Sequence, residues 1–138
     1  HMSNLMAAIG IEQLKKFPDF KKKRQMIARR YDKCFGNVVN VQTLTQNYND
    51  VVPHIYPLIL HSDFDRETVR NELLSKGVPT GVHYMPNHEL TKYSTANKCF
   101  PALDSVSRRL ITLPIHPDLE LDDVDFIADS ILVATRPK

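Results

Sequence analysis

Residues 4–35 constrain the fold more than any other part of this sequence. Across them apolar side chains recur at helical spacing, and then the period changes. Met6, Ile9, Leu14 and Phe17 form one stripe, which Ser3 is placed to cap. Phe20, Ile27, Tyr31 and Cys34, spaced seven, four and three apart, form a second. Pro18 lies between the stripes, and a proline inside a helical pattern normally ends or kinks it. The pattern therefore predicts two helices hinged near Pro18, with Gly36 as the stop.

Beyond Gly36 the alternation shortens. Val38, Val39 and Val41 predict a short strand, and a polar loop follows from Gln42 to Asp50. Residues 51–61 are β-branched and aliphatic enough for a buried strand, although Pro53 and Pro57 favour an edge position or bulges. Asp65 suits the cap of a helix running to Lys76, with Val69, Leu73 and Leu74 inward and Gly77 ending it. Val78–Tyr84 is a further strand candidate, and Met85–Pro101 is irregular, interrupted by Pro86, Asn87 and Asn97. A helical turn at Ser105–Leu110 leads into a strand at Ile111–Ile115. The last helix begins near Leu121, with Asp122 and Asp123 at the positive end of its dipole and Val124, Ile127, Ala128 and Ile131 inward. This order predicts an α/β (α+β) domain: a small, mainly antiparallel sheet of three or four strands with helices on one face.

At 138 residues the chain is long enough for one domain with a real core and too short for two. His1-Met2 reads as the remnant of a cleaved expression tag, which leaves residues 3–138 as the domain. No apolar run nears the length of a membrane span, and a secretion signal is not expected, because the first residues lack a basic start and an apolar run. Cys34 and Cys99 have no metal-motif spacing and cannot form a disulfide framework. Both are expected to be reduced packing residues, which suits a cytoplasmic protein.

Charge is unevenly placed. Residues 12–33 hold nine Lys/Arg against Glu12, Asp19 and Asp32, a balance of +6; with the whole chain at +2, the remainder carries −4. The run Lys21–Arg24 with Arg29 and Arg30 has no interleaved aromatic platform. It is expected to be a solvated helix face, with neither nucleic acid nor membrane as partner.

Four glycines, at 10, 36, 77 and 81, cannot build a dinucleotide or phosphate loop, and no hydrolase or zinc-protease signature is present. His54, His83, His88 and His116 include no i, i+4 pair and no cysteine joins them, so no metal site is expected. The densest polar cluster is Gly81–His88 (GVHYMPNH), followed by Tyr93. Strand alternation places His83 and Met85 on one face and Tyr84 on the other, and Pro86 puts His88 on the loop beyond. A packed, hydrogen-bonded ring is the simpler role for His83. Tyr84, His88 and Tyr93 are the candidate substrate-side residues, because imidazole and phenol bond polyhydroxylated or phosphorylated ligands without fixed charge.

These segments resemble a known family. Ser3–Leu14 (SNLMAAIGIEQL) is similar to the segment that opens the C-terminal part of DegT/DnrJ/StrS sugar aminotransferases, enzymes of the fold type I class. Arg29-Arg30-Tyr31, Asp65-Arg66 and Lys76–Thr80 (KGVPT) follow the same pattern. GVHYMPNH with Tyr93 resembles the family's H-Y-x-P-x-H segment, and Ile111–Pro117 (ITLPIHP) its L-P-x-x-P element. Two departures are His1, standing where the family has Arg, and Glu120, where Ser or Thr often caps the last helix.

The resemblance implies the small C-terminal domain of a homodimeric enzyme. With pyridoxal 5'-phosphate (PLP), such an enzyme moves an amino group, from glutamate, to a nucleotide-linked keto-sugar in surface-polysaccharide or amino-sugar biosynthesis. The family's Schiff-base lysine and pyridine-nitrogen aspartate belong to a larger N-terminal domain, absent from this chain. Lys76 and Lys92 lack the glycine-rich context of that lysine, so the chain alone is expected to hold no cofactor and to be inactive. A dehydratase of the same fold and a free-standing α/β interaction module are the alternatives.

Overall fold

The computed structural model describes residues 2–44, 46–93 and 100–137. Cys99 and Asn97, both weighed above, lie outside them. The N-terminal segment forms one helix, α1 (Asn4–Phe35), with Pro18 inside it, where two helices were expected. Proline forgoes a single i→i−4 bond, costing about 3 kcal/mol. On both sides of Pro18 lie long Lys and Arg side chains, which favour helix, and the far end is anchored by Ile27, Ala28, Tyr31 and Phe35. One lost bond therefore does not end the helix. Ser3 caps it as expected, its Oγ accepting from the Met6 amide at 3.3 Å.

Three strands follow the order β1 (Val41–Thr43), β2 (Tyr56–Leu60), β3 (Leu110–Leu113), antiparallel throughout. β2 is the central strand, not an edge, despite Pro57. The hydrogen-bond directions explain this. The Leu60 amide points to Arg109 beside β3, and the His61 amide to Asn40 beside β1. Odd-numbered amides of β2 thus face β1, which ends opposite Leu58. The nitrogen of Pro57 points past that end, so its missing hydrogen costs no ladder bond.

The fourth strand expected at Val78–Tyr84 is reduced to a single bridge. Gly81 exchanges both backbone bonds with Thr112, at 3.0 and 2.8 Å. Pro79 cannot donate, which limits further pairing.

Helices α2 (Arg66–Ser75), α3 (Pro101–Ser107) and α4 (Leu121–Ala134) complete the fold. Asp65 caps α2 by accepting from the Thr68 amide at 2.8 Å, and Gly77 ends it with φ +78°. Val69 and Leu73 are buried, four apart on one face; Leu74, expected inward, is 61% exposed. α4 buries Val124, Ile127, Ala128 and Ile131 as expected, and Asp123 accepts from the Glu120 amide at 3.0 Å.

The core lies on one face of the sheet. Tyr56, Leu58 and Leu60 stand opposite Leu113, Ile111 and Val41 respectively. They join Ile27 and Tyr31 of α1, Leu73 of α2 and Ile131 of α4 in a single cluster. Each such aliphatic side chain contributes roughly 1.5–3 kcal/mol by leaving water. Several of the basic residues read as solvated also tie elements together. Arg24 donates to the Ile115 carbonyl at 2.8 Å, and Arg30 Nε to Asp125 at 2.6 Å.

No side chain of α1 before Ile27 is buried. Leu5, Met6, Ile9, Ile11, Leu14 and Phe17 are all exposed, although Phe17 borders a groove with Val52, His54 and Pro117. Among the described residues no helix is long and apolar enough to cross a membrane.

Candidate functional site

The GVHYMPNH segment leaves the sheet at Gly81 and crosses the face opposite the core. Thr112 alternates with the core residues Ile111 and Leu113, so its hydroxyl points to that opposite face. There it meets His83 Nδ1 at 2.7 Å. A Cβ on Gly81 would lie 2.5 Å from His83 Cε1 and 2.7 Å from Thr112 Oγ1, so only glycine allows this approach. His83 is thus a packed, bonded residue, in the simpler role read for it. The strand alternation expected for residues 83–85 is not formed, and the His83–Tyr84 peptide bond is cis.

Tyr84 follows with its ring edge-on to His83, at 4.9 Å and 85°. It is 75% exposed and lines a groove of about 680 Å³ with Met85, Pro86, Glu89, Arg66 and Arg108. Arg66 frames the groove by donating to the Ser107 carbonyl at 2.8 Å and to Glu67 at 3.0 Å. The bond to Ser107 holds the start of α2 to the end of α3. The groove offers a phenol, two guanidinium groups and carboxylates to a polar ligand.

His88 sits one turn further on, in a short 3-10 helix, Asn87–Glu89. Its side chain is only 20% exposed. Nε2 lies 3.0 Å from Asp104 Oδ1 on α3, and the ring packs on Phe100 with centroids 4.8 Å apart. Tyr93 is exposed, with Lys92 Nζ 5.7 Å from its ring centroid. Of the three candidates, only Tyr84 lines the groove; His88 is turned toward α3.

Glu89, Asp104, Arg66 and Arg108 were missed by sequence reasoning. Glu89 was readable as part of the polar cluster, beside His88. Asp104 lies 16 positions from its histidine, and no local spacing signals that contact. His88, Glu89 and Asp104 each offer a ligand atom within 4.8 Å of the others, the one group among the described residues that could hold a metal ion. None of the histidine sets weighed from the sequence comes together.

The segments follow the order that the resemblance required, and the model of the DegT/DnrJ/EryC1/StrS aminotransferase family matches residues 1–132. The chain belongs to this family. Among its relatives is the UDP-4-amino-4,6-dideoxy-N-acetyl-beta-L-altrosamine transaminase of Campylobacter jejuni. It is 30% identical over 94% of this chain and 36% of its own length. GDP-perosamine synthase of Escherichia coli O157:H7 is 31% identical over 94% of the chain and 35% of its own length. Helicobacter pylori PseC, an aminotransferase involved in pseudoaminic acid biosynthesis, superposes with a TM-score of 0.82 at 27% identity. That alignment covers 94% of this chain and 36% of PseC. The chain therefore spans little more than a third of the relatives it matches.

A family of aminotransferases implies PLP, and among the described residues Lys76 and Lys92 do not fit its anchor. An anchoring lysine must reach into the site that holds the ring. Lys76 instead bonds Glu72 at 2.9 Å at the end of α2, and Lys92 lies over Tyr93. Neither lines the groove of Tyr84.

Proposed function

We propose that residues 3–138 are the C-terminal small domain of a cytoplasmic, homodimeric, PLP-dependent aminotransferase. In this reading the enzyme transfers an amino group from glutamate to a nucleotide-linked keto-sugar, in polysaccharide or amino-sugar biosynthesis. The observation that carries it is the family match over residues 1–132, in a chain one third as long as the sugar transaminases it resembles. The groove beside Tyr84 forms one wall of the substrate cleft, with His88 and Tyr93 at its mouth. Both the cofactor and the lysine that binds it belong to a large domain outside this sequence.

The exposed apolar half of α1 supports the same reading. Leu5, Ile9, Leu14 and Phe17 are the kind of surface that a larger domain or a second subunit covers. Arg24, Arg29 and Arg30 bond to protein groups, which supports a structural role for these three over a nucleic-acid or membrane contact.

Borohydride reduction with PLP, followed by peptide mass mapping, tests the proposal. In the polypeptide that contains this sequence together with its natural upstream region, a pyridoxyl group is expected on a lysine outside residues 3–138. The 138-residue chain alone should acquire none. A stoichiometric pyridoxyl group on Lys76 or Lys92 sinks the idea. Incubation with glutamate and a nucleotide-linked keto-sugar then separates transamination from dehydration by whether the product carries nitrogen.

A further inference from the structure

His83 and His88 lie five positions apart and are held by opposite ring nitrogens. His83 uses Nδ1 on a threonine hydroxyl, a group that both donates and accepts, so its tautomer is left open. His88 uses Nε2 on the carboxylate of Asp104, 3.0 Å away, and a carboxylate only accepts. We infer that Asp104 is a positioning residue: it keeps the hydrogen of His88 on Nε2 and so presents Nδ1 as an acceptor for a hydroxyl group of the nucleotide-linked sugar. This rests on the proposal that His88 lies on the substrate side.

Three observations carry the assignment. A neutral imidazole has one donor and one acceptor, so fixing Nε2–H fixes the other atom. Phe100, packed at 4.8 Å and tilted by 42°, sets the ring plane. The side chain is 20% exposed, too enclosed to rotate as a surface histidine does. Asp104 comes from α3 and is the group to which the ring is turned. The same cluster includes Glu89 and could ligate a metal. The 3.0 Å His–Asp contact is a hydrogen-bond distance, so the pair satisfies itself without an ion. The geometry favours the bonded pair over the metal.

The test has a spectroscopic arm and a kinetic arm. Long-range proton–nitrogen NMR of the 138-residue chain should show His88 protonated on Nε2, with that proton slow to exchange and shifted downfield. Asp104→Ala should lose the protected proton and Asp104→Glu should recover it, while backbone dispersion stays as in the parent. In the longer enzyme, Asp104→Ala should raise KM for the sugar nucleotide roughly tenfold, the loss of about one hydrogen bond, and leave the glutamate half-reaction unchanged. His88→Gln should do the same, and the double variant should be no worse than either single one.

A hydrogen found on Nδ1, or a spectrum unchanged in Asp104→Ala, overturns the positioning role. So does stoichiometric zinc binding by the 138-residue chain that is abolished by Glu89→Gln as well as by Asp104→Ala. If His88→Gln leaves KM unchanged while the NMR result holds, the substrate-side placement fails and the paired geometry stands. If His88→Gln raises KM and Asp104→Ala does not, the positioning role fails alone.

Discussion

Arg30 and Asp125 lie 95 positions apart and grip each other with two bonds, Nε to Oδ1 at 2.6 Å and Nη2 to Oδ2. The pair fastens the second half of α1 to α4, two of the helices that pack into the core. A planar guanidinium matches a carboxylate in this way and an ammonium does not.

The Arg30 guanidinium holds the Asp125 carboxyl below its ordinary 3.8, chiefly through the hydrogen bond. Thr68 does the same to Asp65, by its side chain first and then its amide. A lowered folded pKa means that the unfolded chain binds protons first as pH falls. The stabilisation is therefore present above about pH 4 and is lost as pH drops through the depressed values. Urea denaturation at a series of pH values should show this acid loss. Arg30→Gln should make the loss shallower, and Arg30→Lys should lower Tm because it cannot bond bidentately. Identical acid limbs in the parent and Arg30→Gln would show that the pair contributes nothing to it.

Alkali acts through different residues. Tyr56 donates to Asp32 at 2.6 Å and Tyr48 to the same oxygen at 3.3 Å, while Tyr31 donates to the Pro114 carbonyl at 2.9 Å. Burial first, and for Tyr48 and Tyr56 the neighbouring Asp32 next, pushes all three phenols far above the ordinary 10. Unfolded tyrosines lose their protons near pH 10 and these keep theirs, so stability is full below that pH and falls as pH rises above it. Phenolate absorbance from these rings should appear together with loss of helical circular dichroism. Phenolate that develops fully while the chain stays folded would refute the assignment. Tyr56→Phe should cost about 1.5–3 kcal/mol at neutral pH, the range for a hydrogen bond to a charged acceptor.

Gly81→Ala tests the close approach behind the sheet. The added methyl group meets His83 at 2.5 Å and Thr112 at 2.7 Å, and the single backbone bridge to β3 holds all three together. Relief requires His83 to swing away and lose its 2.7 Å bond to Thr112. Overpacking of this kind costs about 1–3 kcal/mol. Chemical denaturation should detect it, and NMR should show a changed His83 environment. A variant as stable as the parent, with the bond intact, is the contrary result.

Much of this fold was readable from local pattern, for reasons visible at particular residues. α4 carries Val124, Ile127, Ala128 and Ile131 on one face, and helical spacing alone identifies it. The cap at Asp65 and the left-handed Gly77 were equally local. Pro18 and Pro57 misled because the cost of a proline depends on context: at Pro18 the rest of the helix outweighs the one lost bond, and at Pro57 it matters where the missing hydrogen would point. At Pro57 that direction is set by the end of β1, some fifteen positions earlier in the chain. Leu74 looked like core because hydrophobicity does not say which way a helix is rotated on its neighbours. Within the candidate site, the polar segment at 81–88 was legible as a cluster, while the pairing of His88 with Asp104 is tertiary and left no periodic trace.

The first half of α1 is the remaining anomaly, and it leads to the last prediction. Leu5 is 71% exposed, Leu14 72%, Met6 59% and Ile11 56%. At 100° per residue these side chains, with Ile9 and Phe17, span about two thirds of the helix circumference, and Glu12 and Lys15 fill the rest. An apolar face this wide is normally covered, and a segment of this length is marginal as an isolated helix in water. The polar residues Glu12, Lys15 and Lys16 offset little of this, since Lys15 bonds Glu12 on the helix surface at 2.6 Å. The 138-residue chain should therefore self-associate through this segment, with a mass by light scattering that rises with concentration and falls with mild detergent. Leu5→Glu with Leu14→Glu should return it to monomer and leave Tm nearly unchanged, because no core residue is touched. In the longer enzyme proposed above, the same pair should instead lower Tm, since on that proposal the larger domain covers the segment. A 138-residue chain that stays monomeric at high concentration, with the helix protected from amide exchange as far back as Met6, would show that α1 needs no cover.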